Sequence, residues 1–299
     1  MNETKIKFSA DDGHRLAGTL YETRGGQREV CVLLNAAIGL PRDYYAPYAR
    51  FLAEQGFSVL AFDYRGLGGS RDTEWQGSEP ALRDWGERDV AAAIDWLSRE
   101  RPRYSIVCVG HSFGGVALGL AWNNDRVRAL LGIGAQFGYW KLWRWWPPQY
   151  RLAQAALWRA LVPLSLRLRG AFPGAMLGRA ELPAGIARDW ARWSCDPNYV
   201  TDAQGRPLRQ YFDSYRGRVR LYAFADDRFF APPPAVQALA SCYRAAGVEL
   251  VQVRPADWDM ARIGHHGFFR ESTPRRVWQE TADWLQDAGR LAKRQAIEV

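Results

Sequence analysis

Hydrophobic and polar positions along this chain follow two periods that trade places at regular intervals. The first twenty residues alternate in the manner of strands around "DDG" at 11–13, which predicts a β-hairpin. Four apolar runs follow: "EVCVLLN" (29–35), "FSVLAFDYR" (57–65), "YSIVCVG" (104–110) and "VRALLGIGA" (127–135). Each is nearly continuous rather than alternating, as expected of strands buried on both faces of a parallel sheet. Between them the apolar residues recur on the helical period. Over 43–55, Tyr44, Tyr48, Phe51 and Leu52 share one face, and Gly56 ends the stretch. Over 80–99, Val90, Ala93, Ile94 and Leu97 do the same, and 114–122 gives a third helix. The pattern resumes with "VRLYAFA" (219–225), a helix over 235–246, "VELVQV" (248–253) and a last helix over 274–293. Strands alternating with helices predict an α/β fold with a mostly parallel central sheet covered by helices on both faces.

The rhythm fails over 136–216. This stretch shows no clear strand and is rich in Trp, Pro and Arg, as in "FGYWKLWRWWPPQY". It is far longer than an ordinary connection. The expected organisation is therefore a core of 1–135 and 217–299 interrupted by a helical cap over 136–216. The cap holds Trp140, Trp143, Trp145, Trp146, Trp158, Trp190 and Trp193, half of the chain's 14 tryptophans. Trp is highly buried on average, so packing of the cap upon itself is the first reading. Lining of an apolar substrate pocket is the second, with Trp140, Trp143, Trp146 and Ile38 as its candidates. Affinity for a membrane surface, suggested by Trp mixed with Arg and Lys in "WKLWRWWPP", is the weakest of the three.

Composition narrows the class further. The 299 residues are 47% hydrophobic and 24% charged, which suits one large soluble domain with an insertion. The polar start "MNETKIKFSADDGHRL" argues against a secretory signal, and no apolar run has the roughly 18 residues of a membrane span. Cys31, Cys108, Cys195 and Cys242 match no metal spacing and are expected as free thiols of a cytoplasmic protein. The net charge of +8 comes almost wholly from scattered arginines. Without a localised patch or a binding motif, nucleic acid is not an expected partner.

The strongest local signal is "VGHSFGG" (109–115), which places Gly110-His111-Ser112-Phe113-Gly114 between an expected buried strand and an expected helix. In a G-x-S-x-G turn of this kind the glycines relieve collisions at a sharp strand-to-helix corner. The serine hydroxyl stands exposed at its apex, near backbone N–H groups that can hold an oxyanion. A serine hydroxyl needs a base, and the base an orienting acid. With the chain order Ser, acid, His, both His14 and His111 come too early, which leaves His265 and His266. The acid belongs after the strand that follows the insertion, where Asp226 and Asp227 stand. "GLGG" (66–69) lacks the Lys-Ser/Thr ending of a phosphate loop.

"DYRGLGGS", "VGHSFGG", "ADDRFFAP" and "GHHGFF", in this order and spacing, resemble the α/β-hydrolase superfamily over nearly the whole chain. They are most similar to a bacterial group of predicted capped serine hydrolases whose substrates are unassigned, although Phe62 stands where that group has Tyr before the Asp. The resemblance implies Asp227 rather than Asp226 as the acid, and His265, directly after Gly264, as the base. It implies an oxyanion hole made by the N–H of Phe113 and one N–H after "VCVLLN". Many relatives have His-Gly at that strand end; here Asn35-Ala36 precede Ala37, the expected second donor.

The expected function is hydrolysis of an ester, thioester or amide of a small hydrophobic acyl substrate through an acyl-enzyme on Ser112. No metal, nucleotide or organic cofactor is implied. Acyl transfer and cleavage of short peptides, with Glu181 and Asp189 holding a substrate N-terminus, use the same three residues. A binding protein that kept the fold without the chemistry is the reading an intact triad disfavours.

Overall fold

The computed structural model describes residues 1–23, 28–71, 75–145, 148–174 and 180–295. Its strands are β1 (Asn2–Ser9), β2 (Arg15–Glu22), β3 (Val30–Asn35), β4 (Ser58–Phe62), β5 (Ser105–His111), β6 (Val127–Ile133), β7 (Arg218–Phe224) and β8 (Val248–Val253). They form one eight-stranded sheet in the order β1-β2-β4-β3-β5-β6-β7-β8. The N-terminal hairpin β1–β2 turns at Gly13 (φ +86°) and joins the sheet antiparallel to β4; every later pairing is parallel. The central strands β3 and β4 are buried at every position, whereas the edges β1 and β8 are largely exposed, as their polar residues require.

Helices cover the sheet. The long C-terminal α9 (Arg275–Gln295) packs on β3, β5 and β6 alongside α1 (Ala46–Glu54). α2 (Ala91–Glu100) contacts β1, β3 and β5, α3 (Phe113–Leu118) contacts β3, β5 and β6, and α8 (Pro233–Ala240) packs on β7 and β8. Several differ from the sequence expectation at their ends. The stretch expected as one helix over 43–55 is a 3-10 turn, Arg42–Tyr45, followed by α1, because Pro47 cannot donate and is tolerated only in a first turn. The helix expected over 80–99 enters α2 through a π-helical segment, Trp85–Val90. The helix after β5 stops at Leu118, where a Cβ on Gly119 would lie 2.2 Å from the Phe212 ring. α8 also ends earlier than the 235–246 expected.

Among its described residues the segment between β6 and β7 adds no strand to this sheet. Within it, α4 (Pro148–Ala156), a π-helical segment (Leu157–Leu161) and α5 (Val162–Arg169) follow one another directly, and α6 (Ala184–Cys195) and α7 (Gln210–Ser214) come later. A two-residue antiparallel pairing of Ala171–Phe172 with Leu182–Pro183, not visible in the sequence pattern, ties α5 to α6. Among the described residues no helix is long and apolar enough to cross a membrane.

One close approach fixes how α3 sits on β3. A Cβ on Gly114 would sit 2.2 Å from the backbone oxygen of Asn35 at the end of β3. Backbone cannot yield as a side-chain tip can, so α3 would have to move off β3. Gly114→Ala is expected to lower stability by about 3 kcal/mol or more, read from urea unfolding. An unchanged midpoint would mean that α3 has room to shift.

Candidate active site

At the C-terminal end of β5 the chain turns within one residue into α3. Ser112 occupies the corner with φ 52° and ψ −119°, a conformation rare for any residue but glycine. A Cβ on Gly110 would lie 2.5 Å from the amide nitrogen of Gly115, so both glycines flanking the serine are there for steric reasons. Ser112 is 7% exposed, and its hydroxyl donates to Oε1 of Gln136 at 3.4 Å. Gln136 lies just past the end of β6.

The two neighbouring acids have different partners. Asp227 Oδ2 lies 2.6 Å from His265 Nδ1, and Asp227 Oδ1 accepts the Phe230 N–H at 3.2 Å. The Phe230 ring stacks on the imidazole of His265, with centroids 4.7 Å apart and planes at 22°. Asp226 turns to the loop that carries the histidines: its Oδ2 accepts the N–H groups of Ile263 and Gly264, each at 2.9 Å. One aspartate therefore holds the imidazole and the other holds the backbone beneath it. Behind the pair lies Gly134 (φ +56°), where a Cβ would come within 3.3 Å of His265 Nδ1.

The adjacent imidazoles are equally distinct. His266 packs edge-on against Tyr44, His111, Phe230 and His265, and its Nδ1 is buried without a hydrogen-bond partner. Burial, then the neighbouring His265, push its pKa down to about 4, so it is neutral at pH 7. His111, the neighbour of Ser112, is buried, with both ring nitrogens engaged: Nδ1 with the Tyr45 hydroxyl and Nε2 with the carbonyl of His265, each at 2.9 Å. Burial holds it well below the ordinary histidine range. As a neutral ring it donates from Nε2 to that carbonyl and accepts at Nδ1 from Tyr45.

This network corrects one expectation. The N–H of Ala37 donates to the Tyr45 hydroxyl at 2.7 Å, so it is not open to an oxyanion in this structure. Tyr45 is fully buried and sits eight positions further along the chain, where the sequence showed it only as an aromatic near the start of a helix. Phe113 is the first residue of α3, a position whose N–H has no intrahelical acceptor.

Beside these residues is a narrow cleft whose free volume is about 20 Å³. Trp143, Leu157, Trp158, Trp190, Phe229 and Phe230 form its apolar walls. Gln136, Gln154 and Ser194 supply its polar points, and the hydroxyl of Ser194 is buried without a partner. Of the expected pocket residues, Trp143 lines this cleft and donates from Nε1 to the Phe229 carbonyl at 2.8 Å. Trp140 does not line it; its ring lies under the cations of Lys141 and Arg151. Ile38 is buried in the core instead, and Trp146 lies outside the described residues. Sequence reasoning did not single out Gln136, Ser194, Trp158 or Trp190 as pocket residues. The acidic pair considered for peptide binding is placed elsewhere: Asp189 accepts from the Leu82 N–H and from Arg192, each at 3.1 Å, and Glu181 is exposed.

Comparison with known proteins agrees with this architecture. A sequence model of the alpha/beta hydrolase family matches residues 31–293. An uncharacterized protein of Pseudomonas aeruginosa is 32% identical over 138 residues, which is 42% of this chain and 35% of that protein. An uncharacterized protein of Mycobacterium tuberculosis is 36% identical over 120 residues, 39% of this chain and 40% of that protein. The aligned stretches thus span well under half of these relatives. Among solved structures, an esterase of Pyrococcus furiosus superposes with a TM-score of 0.63 at 15% identity, over 96% of this chain and 91% of that one, a likeness of fold.

Proposed function

The chain belongs to the alpha/beta hydrolase family, and from that premise we propose that it is a serine hydrolase acting on a small ester through an acyl-enzyme on Ser112. The observation that carries this reading is the 2.6 Å bond between His265 and Asp227, tied through the His111 bond to the His265 carbonyl to the strained corner that holds Ser112. Asp227 fixes the proton on Nδ1 and leaves Nε2 as the basic nitrogen. His265 Nε2 takes the Ser112 proton as Oγ attacks the acyl carbon. The same nitrogen then protonates the leaving alcohol, and water repeats the cycle to free the acid. The Phe113 N–H stabilises the tetrahedral oxyanion; the amide of Ala37 contributes only where its bond to Tyr45 is shared.

In this closed structure the Ser112 proton points to Gln136. Catalytic hydrogen bonds often tighten only when substrate arrives, and a substrate carbonyl entering the cleft would displace this contact. The cleft as it stands has room for about one water, so a substrate enters only as its aromatic walls part. Gln136 and Ser194 offer two polar points, which suits an apolar group carrying a single hydrogen-bonding atom. The direct test is covalent labelling by a fluorophosphonate probe, read by intact mass. Wild type is expected to gain one adduct and folded Ser112→Ala none. An adduct of equal yield on the alanine variant would exclude Ser112 as nucleophile.

A further inference from the structure

The helical run from α4 to α5 has two unlike faces. One lines the cleft through Gln154, Leu157 and Trp158. On the other, every exposed position from Arg151 to Arg169 is Ala, Leu, Pro or Arg. Leu152, Leu161, Leu164 and Leu168 are 69, 45, 53 and 73% exposed, four of the seven most exposed large hydrophobic side chains among the described residues. Arg151, Arg159, Arg167 and Arg169 border them, and among the described residues no carboxylate pairs with any of the four. A face left to water would carry mixed charges and amides; this one carries leucine and a single sign of charge.

We propose that this face docks on an anionic lipid surface. The ridge from Leu152 to Leu168 is about 24 Å long at the helical rise. It is exposed and apolar, with cations beside it in the chain, the arrangement by which a helix lies in a lipid interface with its arginines reaching for headgroup phosphates. A second copy of this chain is a poor occupant. A two-fold contact brings the same patch against itself, and here it would bring four arginines against four. Only a surface that supplies an apolar phase and negative charge together satisfies both halves of the face. Insofar as the serine hydrolase reading holds, a hydrophobic ester dissolved in that surface would meet the cleft across the thickness of one helix.

The test is co-sedimentation of the whole protein with vesicles of phosphatidylcholine alone and of phosphatidylcholine mixed with phosphatidylglycerol. Binding is expected only with the anionic vesicles and should fall as salt rises. Joint replacement Arg159→Gln, Arg167→Gln and Arg169→Gln is expected to weaken it on the order of a hundredfold. Joint replacement Leu161→Ser, Leu164→Ser and Leu168→Ser should weaken it at least about tenfold. These leucines lie outside the cleft, so turnover of a water-soluble ester by the leucine variant should stay at the wild-type rate, which also reports its folding. Failure of wild type to sediment with anionic vesicles overturns the proposal, as does binding that survives both sets of substitutions. Leucine-dependent dimers in light scattering without vesicle binding would give the face to a second copy and overturn it too. Lipid binding by a protein that hydrolyses no ester would leave this inference standing and remove the hydrolase reading.

Discussion

His265→Ala is expected to lower ester turnover on the order of 10⁴-fold or more, whereas His266→Ala should stay within about tenfold of wild type. The two side chains are neighbours in sequence and their rings are 5.0 Å apart, yet their surroundings separate them. His265 has a carboxylate on Nδ1, which fixes its tautomer and favours the imidazolium that forms when it takes a proton. His266 has none, and with its pKa pushed down to about 4 it is a weak base at neutrality. The measurement is steady-state kinetics on a soluble ester, with circular dichroism confirming that both variants fold. The loss at His265 should fall on kcat, since the base acts in the transition state. A reversed order of the two variants would move the base by one residue and void the assignment of Asp227 as its partner.

A second large contrast separates the two aspartates. Asp227→Asn is expected to cost about 10⁴-fold in kcat, because an amide favours the wrong imidazole tautomer while filling the same space. Asp226→Asn keeps an oxygen that can accept from Ile263 and Gly264, so the loop stays in place and the loss should be about tenfold or less. Substituting the pair separately, with kcat and thermal unfolding measured on each, isolates the charge on the imidazole from the anchoring of its loop. Equal losses at the two positions would show that loop anchoring, not the charge beside His265, sets the rate.

These contrasts also mark how far the sequence could be read. The parallel sheet was legible because β3 to β7 are nearly unbroken apolar runs between helices of regular period, and burial of both faces leaves no other solution for such runs. Helix ends were less legible. Pro47 holds the start of α1 to its first turn, and α3 ends just before Gly119, against which the Phe212 ring packs; periodicity encodes neither. At the candidate site, Ser112 announces itself because its corner demands glycines at fixed offsets. Residues whose role depends on reach across the fold gave no such signal. Tyr45 caps the Ala37 amide from another turn, and Gln136 is a single polar residue at a strand end. Of the cleft-facing tryptophans Trp143 was expected, whereas Trp158 was hidden for a related reason. The π-helical segment at Leu157–Leu161 changes the phase of its helix, so which rings face inward does not follow from a 3.6-residue period.

The division of labour between the sheet ends and the long excursion after β6 has a bearing on how such a protein diversifies. Ser112, Asp227 and His265 are borne on the ends of the sheet, while most of the cleft wall comes from one contiguous stretch of chain. A change in that wall would leave the three proposed catalytic residues unaltered, with Gln136 and Phe230 the points where wall and triad touch. On the proposed reading, recoding of that stretch is the route by which such a protein would acquire a new substrate while keeping one triad.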